Sequence, residues 1–112
     1  MAIDNNGTWS DAFQFGDVGD LTWNLIGWSF EMDVKRSRYD LNPLLSLDST
    51  AGTIVVADPI QRVVYLDVPP ASIQAALAPG EYVYDFVGID PNANRVPLMH
   101  GEVEVTQGVT QS

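Results

Sequence analysis

The chain has 112 residues, of which 46% are hydrophobic and 18% charged, enough apolar material for one modest core and too little for two. Its 15 acidic and 5 basic side chains give a formal charge of -10, which repels nucleic acid and anionic lipid surfaces. The sequence contains no cysteine, which excludes disulfides and thiol chemistry. It also lacks a long apolar run and a leader-like N-terminus, so we do not expect a membrane as partner. Because of the acidic charge, we do not expect nucleic acid as partner either.

The first part of the chain predicts an arm followed by a short strand. Residues 1–10 are polar and have no period, which predicts an N-terminal arm outside a single β-sandwich domain at residues 11–112. Phe13 and Phe15 alternate with small or polar neighbours, a pattern typical of a strand. The Gly-Asp steps of Gly16–Asp20 end this first strand.

The clearest periodic signal lies in the segment Trp28–Lys35. Large apolar residues alternate there without interruption with polar or charged ones, which indicates a strand with one face in water. A helix would scatter the charges around its circumference and bury at least one of them. We therefore expect Trp28, Phe30, Met32 and Val34 to be buried, and Glu31, Asp33 and Lys35 to be exposed.

Shorter alternating runs predict the remaining strands, and one segment predicts a helix. The runs centre on Leu45 and Leu47, on Ile54–Val56, on Val64–Val68, on Tyr82–Val87 and on Glu102–Val105. Pro69–Leu77 instead begins with two prolines and places apolar residues four apart, which predicts one short helical turn near residues 70–78. About seven short strands with one such turn predict an all-β fold, an immunoglobulin-like two-sheet β-sandwich.

The turn before Tyr82 predicts a structural role for that tyrosine. Pro79 and Gly80 form a tight turn just before a strand that opens with Tyr82. This arrangement is typical of a tyrosine corner, in which the phenol hydroxyl bonds to backbone a few residues upstream. The alternative is a tyrosine that only packs in the core. In both cases Tyr82 is structural and not catalytic.

The sequence offers little for catalysis. His100 is the single histidine, so a histidine-activated nucleophile would depend on it alone, and its position predicts a residue of the last strand. The pairs Glu31 and Asp33, and Glu102 and Glu104, recur at period 2 and are interpreted as charges on wet strand faces. We therefore predict that the protein is not an enzyme and has no catalytic residue and no cofactor.

One segment of the sequence has part of the pattern of a calcium-binding loop. Asp90–Asn94 has the spacing that opens an EF-hand loop, but Arg95 stands where that loop needs glycine and Gly101 where it needs a bidentate glutamate. A hairpin turn explains the segment better, because Asp, Pro and Asn favour turns. We predict no metal ligand, while weak calcium binding by the acidic loops Asp17–Asp20 or Asp90–Asn94 stays open.

Two tryptophans are candidate interface residues. Trp9 and Trp23 lie in polar or turn-rich sequence, and exposed tryptophans often anchor protein interfaces. For Trp9 the alternative stays open that the arm folds back and buries the ring within the domain.

Three stretches of the chain, Leu21–Lys35, Gly80–Phe86 and His100–Thr110, resemble strands of small tailed-phage and prophage virion proteins. Those proteins are similar to the immunoglobulin-like N-terminal domain of baseplate upper proteins and tail-fibre adaptors. The resemblance implies a structural virion protein, an adaptor at the tail, baseplate or fibre junction, synthesised in the bacterial host cytoplasm. Its partners would be other virion structural proteins, such as tail, baseplate or major capsid protein, with multiple copies in a symmetric assembly.

Three other functions are kept as alternatives. The first is capsid decoration, in which the domain acts as a cement protein on the major capsid protein. The second is a carbohydrate-binding β-sandwich, which would present exposed aromatic side chains such as Trp23, Tyr65 and Tyr84 on one face. The third is an enzyme, which would require a pocket that contains His100 beside a carboxylate.

Overall fold

The computed structural model describes residues 1–16 and 23–107. Within them, eight strands and one helix follow each other in the order β1 (Ala2–Asp4), β2 (Ala12–Gln14), β3 (Ser29–Lys35), β4 (Leu45–Asp48), β5 (Ile54–Asp58), β6 (Val63–Leu66), α1 (Pro70–Ala76), β7 (Gly80–Ile89) and β8 (Arg95–Thr106). The strands form a five-stranded sheet, β1-β8-β7-β3-β4, and a three-stranded sheet, β2-β6-β5. This arrangement confirms the predicted all-β, immunoglobulin-like two-sheet sandwich with one short helix.

Strand β3 follows the predicted alternation closely, with one difference in degree. It pairs antiparallel with β4 on one side and with β7 on the other. Its inward side chains, Phe30, Met32 and Val34, are fully buried. Its outward side chains, Glu31, Asp33 and Lys35, are partly rather than fully exposed, because the flanking strands place side chains on both sides of them. Trp28, directly before the strand, is half-buried and not fully buried.

Aromatic side chains from both sheets meet in the core around Phe86 of β7. The ring centroid of Phe86 lies 5.8 Å from that of Phe30 in the same sheet. On the opposite side it lies 6.0 Å from Phe13 of β2 and 5.6 Å from Phe15. Phe86 therefore connects the two sheets, and its contacts position the short strand β2 on the five-stranded sheet.

Residues 1–10 belong to the sandwich, which corrects the prediction of a separate arm. Strand β1 pairs in parallel with the end of β8, where Ile3 lies opposite Val105, and the Ile3 side chain is buried. Further along, Trp9 and Val68 exchange backbone hydrogen bonds of 2.9 and 3.1 Å. Most side chains of this segment other than Ile3 and Trp9 face solvent, which is why the segment is polar. Its composition alone therefore does not reveal the pairing.

The longest hairpin of the fold joins β7 to β8 through Asp90–Asn94, where a turn is predicted. The Asp90 carboxylate accepts hydrogen bonds of 2.9 Å from the backbone N–H groups of Asn92 and Asn94, and Ala93 adopts a left-handed φ of 66°. The Asp90 side chain thus stabilises the turn by accepting hydrogen bonds from the backbone of the turn. Among the described residues, no helix has the length and hydrophobicity needed to span a membrane.

Candidate functional site

Trp9 is buried and does not present a docking surface. Only 2% of its surface is exposed, and its indole N–H donates to the Asp11 carboxylate at 2.8 Å. The prediction of Trp9 as an interface residue is therefore replaced by its alternative, burial within the domain. The physical reason is the backbone bridge to Val68, which fixes the ring against the core.

Trp23 is also occupied by contacts inside the domain. Its ring lies 6.0 Å from that of Trp28 and is half-buried. The guanidinium of Arg62 lies over it, 5.0 Å from the ring centroid, a distance at which a cation and an aromatic face attract each other. Trp23 therefore serves the packing of its own chain, and the prediction that it anchors an interface gains no support from its position.

Arg62 is the feature of this region that the sequence did not suggest. Its side chain is fully buried, although the residue precedes β6 in a turn and has a left-handed φ of 60°. Its Nε donates to the carbonyl of Phe15 at 2.6 Å, and its Nη1 donates to the carbonyl of Trp23 at 3.0 Å. Arg62 thus holds two segments that are distant from it in sequence. No local pattern around Arg62 could have indicated these contacts.

Tyr82 has the hydrogen bond that defines a tyrosine corner. Its side chain is buried, and its hydroxyl donates to the carbonyl of Ala78, four residues upstream. The guanidinium of Arg36 lies over the ring, 5.5 Å from its centroid. This hydroxyl bonds to backbone, so it is placed for structure.

Replacing Tyr82 with phenylalanine should lower the free energy of unfolding by about 1 kcal/mol, because the Ala78 carbonyl loses one partly buried hydrogen bond while the ring remains. Denaturant titration of the two proteins measures the difference. Tyr65→Phe is a matched control, since Tyr65 is a half-buried tyrosine of β6 with no side-chain hydrogen bond to the described residues. Equal stability of the Tyr82→Phe variant and the native protein would show that the corner bond contributes nothing.

Tyr84 lies on the inward side of β7, near the point where β2 begins. Burial and, to a smaller extent, the negative charge of Asp11 raise the pKa of the Tyr84 phenol above its usual value. The ring covers Gly101 on the neighbouring strand, where an added Cβ would come within 2.9 Å of it. The contact explains why β8 carries glycine at this position. Tyr84 therefore does not form an exposed aromatic platform for a carbohydrate.

His100 lies in a row of polar side chains that crosses the five-stranded sheet. The register places Ser46 opposite Asp33, Asp33 opposite Asp85, and Asp85 opposite His100. The Ser46 hydroxyl donates to Asp33 at 2.9 Å and not to the histidine. His100 and Asp85 are both exposed. A nucleophile must contact its base, and within the described chain no hydroxyl does so here.

The outer face of the five-stranded sheet is strongly acidic. Side chains that alternate with the buried core residues point to this face, and most of its charged residues are carboxylates. They are Asp4 on β1, Glu102 and Glu104 on β8, Glu81 and Asp85 on β7, Glu31 and Asp33 on β3, and Asp48 on β4. Arg95 balances one of them, through an ion pair of 2.9 Å with Glu31.

Like charges stand directly opposite each other on this face. Asp33 pairs with Asp85 across β3 and β7, and Glu81 pairs with Glu104 across β7 and β8. Side chains in such positions lie close together, and like charges there are destabilising. Folding therefore brings carboxylates together at a cost in stability that the core must offset.

Three adjoining depressions make this face a groove along β7 and β8. Their volumes are about 350, 230 and 370 Å³. The first and second share Val83, and the second and third share Asp85 and His100. We call this feature the acidic groove and define it by the outward residues Glu81, Val83, Asp85, His100, Glu102 and Glu104. One arginine also lines each depression: Arg36 the first, Arg38 the second and Arg95 the third. Val87 and Pro97 extend its apolar floor in the third depression.

Metal binding finds no support in the described part of the chain, which contains no group of three or more His, Asp or Glu side chains placed to hold an ion. Asp90 is engaged in the hairpin turn. The acidic loop Asp17–Asp20, the other candidate for weak calcium binding, lies outside the described residues.

Comparison with known proteins shows a likeness of fold to a solved structure. No family model matches the chain, and no curated protein matches it. The fold is similar to the crystal structure of CopC from Methylosinus trichosporium OB3b, with a TM-score of 0.50, 14% sequence identity, and coverage of 99% of this chain and 87% of that one. At this identity the likeness shows the fold alone, and it agrees with the two-sheet sandwich described above.

The predicted virion role is contradicted by this result. The structure that the chain resembles is CopC and not a tail, baseplate or fibre protein, and no phage family supports the resemblance inferred from strand patterns. Alternation of apolar and polar residues is a property of any sandwich with one wet face. The stretches Leu21–Lys35, Gly80–Phe86 and His100–Thr110 therefore reported the fold, and the virion function read from them is wrong. The alternatives of capsid decoration and carbohydrate binding gain no support either.

Proposed function

We propose that this protein is a non-catalytic binding domain whose acidic groove takes a basic, extended segment of a protein partner. The observation that carries the proposal is the groove itself, in which carboxylates outnumber the three lining arginines and flank an apolar floor along β7 and β8. A strand-like segment that carries Lys or Arg at alternate positions would meet these carboxylates, while its smaller apolar side chains would contact Val83 and Val87.

The like-charge pairs support a role in binding. Asp33 and Asp85 lower the stability of the free domain, and a bound cation would relieve this repulsion. Complementary charge also steers a partner toward the site and discriminates against acidic competitors. The charge of -10 opposes the binding of nucleic acid, because it repels a phosphate backbone.

A non-catalytic role is supported by the surroundings of His100. The ring lies on an open sheet face, where solvent screens electrostatic effects that a closed site would strengthen. Its cross-strand neighbour Asp85 supplies a carboxylate, but the hydroxyl in the same row, on Ser46, bonds to Asp33. The row therefore lacks the contact between nucleophile and base on which hydrolytic chemistry depends.

The proposal is tested with a fluorescein-labelled peptide of alternating Lys and Val, whose binding is followed by anisotropy at low salt. Asp85→Asn should weaken binding by about twofold to fivefold, the effect of one exposed charge pair. The same change should raise the free energy of unfolding by about 0.5 kcal/mol, because the repulsion with Asp33 is removed.

Asp67→Asn is the matched control, because it removes one exposed carboxylate beyond the end of β6, outside the groove. It should leave both peptide affinity and stability nearly unchanged. A peptide of alternating Glu and Val should not bind the native protein. Equal weakening by Asp85→Asn and Asp67→Asn would show that only net charge matters, and the groove would then not be the binding site.

A further inference from the structure

Strand β5 forms one edge of the three-stranded sheet, and its outer side has no partner strand among the described residues. Native edge strands are usually short, charged or interrupted by proline, because an open edge pairs readily with another chain. The edge strands β1 and β2 have three residues each, and β4 ends in Asp48. In β5, by contrast, residues 54–57 are uncharged, and three of them are β-branched. This edge is therefore the least protected of the described chain.

Two backbone hydrogen bonds at the end of β6 show which of its groups face β5. The N–H of Asp67 donates to the carbonyl of Thr53 at 2.9 Å, toward β5. The N–H of Leu66 donates to the carbonyl of Asp11 at 2.9 Å, on the side of β2 and away from β5. Successive N–H groups of a strand point to opposite sides. The N–H of Val64, like that of Leu66, therefore points away from β5.

The register then fixes the direction of the backbone groups in β5. Ile54 lies opposite Leu66, and Val56 lies opposite Val64. Opposed residues of an antiparallel pair direct their N–H and C=O groups either toward each other or both away. The N–H and C=O groups of Ile54 and Val56 therefore face the open edge, where no described residue bonds to them. The edge thus presents alternating donors and acceptors with the spacing that a further strand requires.

We propose that this edge pairs with β5 of a second copy of the chain, antiparallel and about a twofold axis at Val55. In that register Ile54 of each copy lies opposite Val56 of the other, and the two residues exchange N–H···O=C hydrogen bonds. All the backbone groups that Ile54 and Val56 direct to the edge are then paired. The contact is isologous, so it closes at a dimer. The two small sheets form one continuous sheet, β2-β6-β5-β5-β6-β2.

The charge distribution favours this edge for contact between copies of a chain with a charge of -10. The row formed by Ala12, Tyr65 and Val55 crosses the outer face of the three-stranded sheet without a charge, whereas the outer face of the five-stranded sheet is strongly acidic. The one carboxylate of β5, Asp58, lies at its end. Antiparallel pairing places the two copies of Asp58 at opposite ends of the contact, so like charges do not meet there.

Amide hydrogen exchange followed by NMR tests the proposed register residue by residue. Stable complexes bury roughly 1,200 Å² or more, and a contact over three residues of each copy is smaller, so the dimer should form only at high protein concentration. The N–H groups of Ile54 and Val56 should exchange about tenfold more slowly there than in dilute solution. The N–H of Val55, which faces β6, is the internal control and should be protected at both concentrations.

Val55→Glu tests whether the edge of β5 carries the association. It places two carboxylates side by side at the twofold axis, and like charges directly opposite each other are destabilising. By sedimentation velocity, dimer formation should weaken about fivefold or more. Val63→Glu is the matched control, because Val63 is another half-buried valine of the same sheet but lies on the central strand β6. It should weaken dimer formation by about twofold or less.

Val56→Pro tests the backbone hydrogen bonds themselves, independently of charge. Proline removes the N–H that faces the open edge and leaves the bonds between β5 and β6 in place, and proline is tolerated in edge strands at such positions. The variant should stay folded by circular dichroism and lose dimer formation, because each copy loses one donor. A folded Val56→Pro variant that forms dimers as well as the native protein overturns the proposal.

Salt distinguishes this contact from binding at the acidic groove. Both copies carry the same net charge, so added salt should strengthen the pairing of β5, whereas it should weaken binding of the peptide of alternating Lys and Val. Three results overturn the proposal: a native protein that stays monomeric at high concentration and high salt, exchange at Ile54 and Val56 that is independent of concentration, or equal weakening by Val55→Glu and Val63→Glu. Peptide binding in the groove does not depend on any of them.

Discussion

Replacing Arg62 with methionine should lower the free energy of unfolding by about 3 kcal/mol or more. The side chain is fully buried and donates to the carbonyls of Phe15 and Trp23. Methionine fills a similar volume but donates no hydrogen bond, and each carbonyl left without a donor in a covered position costs about 1 to 3 kcal/mol. The contact of the cation with the Trp23 ring is lost as well.

Arg62→Lys is the informative comparison for this prediction. Lysine keeps the positive charge but lacks the planar guanidinium that reaches two carbonyls at once, so the loss should lie between those of the native protein and the methionine variant. Chemical denaturation measures all three proteins. Should the methionine variant unfold within about 1 kcal/mol of the native protein, the two carbonyls gain other donors, and Arg62 does not hold the segments together.

Replacing Phe86 with alanine should lower the free energy of unfolding by about 3 to 5 kcal/mol, the usual range for a large aromatic side chain in a core. Phe86 is fully buried and contacts rings from both sheets at Phe13, Phe15 and Phe30. Its removal leaves a cavity between the sheets, and the short strand β2 then loses a main contact with the five-stranded sheet.

Tyr39→Ala is the matched control for Phe86→Ala, because it removes an aromatic ring of similar size that is 87% exposed. It should change stability by less than about 0.5 kcal/mol. A loss for Phe86→Ala as small as that of the control would mean that the two sheets are not held together by this aromatic cluster.

The sequence predicted the elements whose side chains alternate over several residues. Strand β3 is the clearest case, because the period of two along Trp28–Lys35 fixes which side chains face the core. Strand β1 was missed for the opposite reason. It has three residues, and its partner in β8 lies about a hundred positions away in the sequence, so neither its length nor a neighbouring turn reveals the pairing.

The candidate site was predictable in part. The wet-face positions of Glu31, Asp33, Glu102 and Glu104 followed from period 2, and the structure places them on one outer face. The register between strands did not follow, so the direct opposition of Asp33 and Asp85 could not be seen. The exposure of Tyr39 and Leu41, between β3 and β4, was also hidden, because a tyrosine and a leucine in a turn-rich segment are equally compatible with burial.

The parallel pairing of β1 with β8 has a consequence for the order in which the chain can fold. The carbonyl of Met1 accepts a hydrogen bond of 2.8 Å from the N–H of Glu104, so these contacts close a loop that contains nearly the whole described chain. Such long-range contacts form late, because the entropy of loop closure must be overcome first. During synthesis β1 is made before β8, so it must wait for its pairing partner. Until β8 is made, β1 has no strand to pair with, and the Ile3 side chain has no partner strand beside it in the sheet.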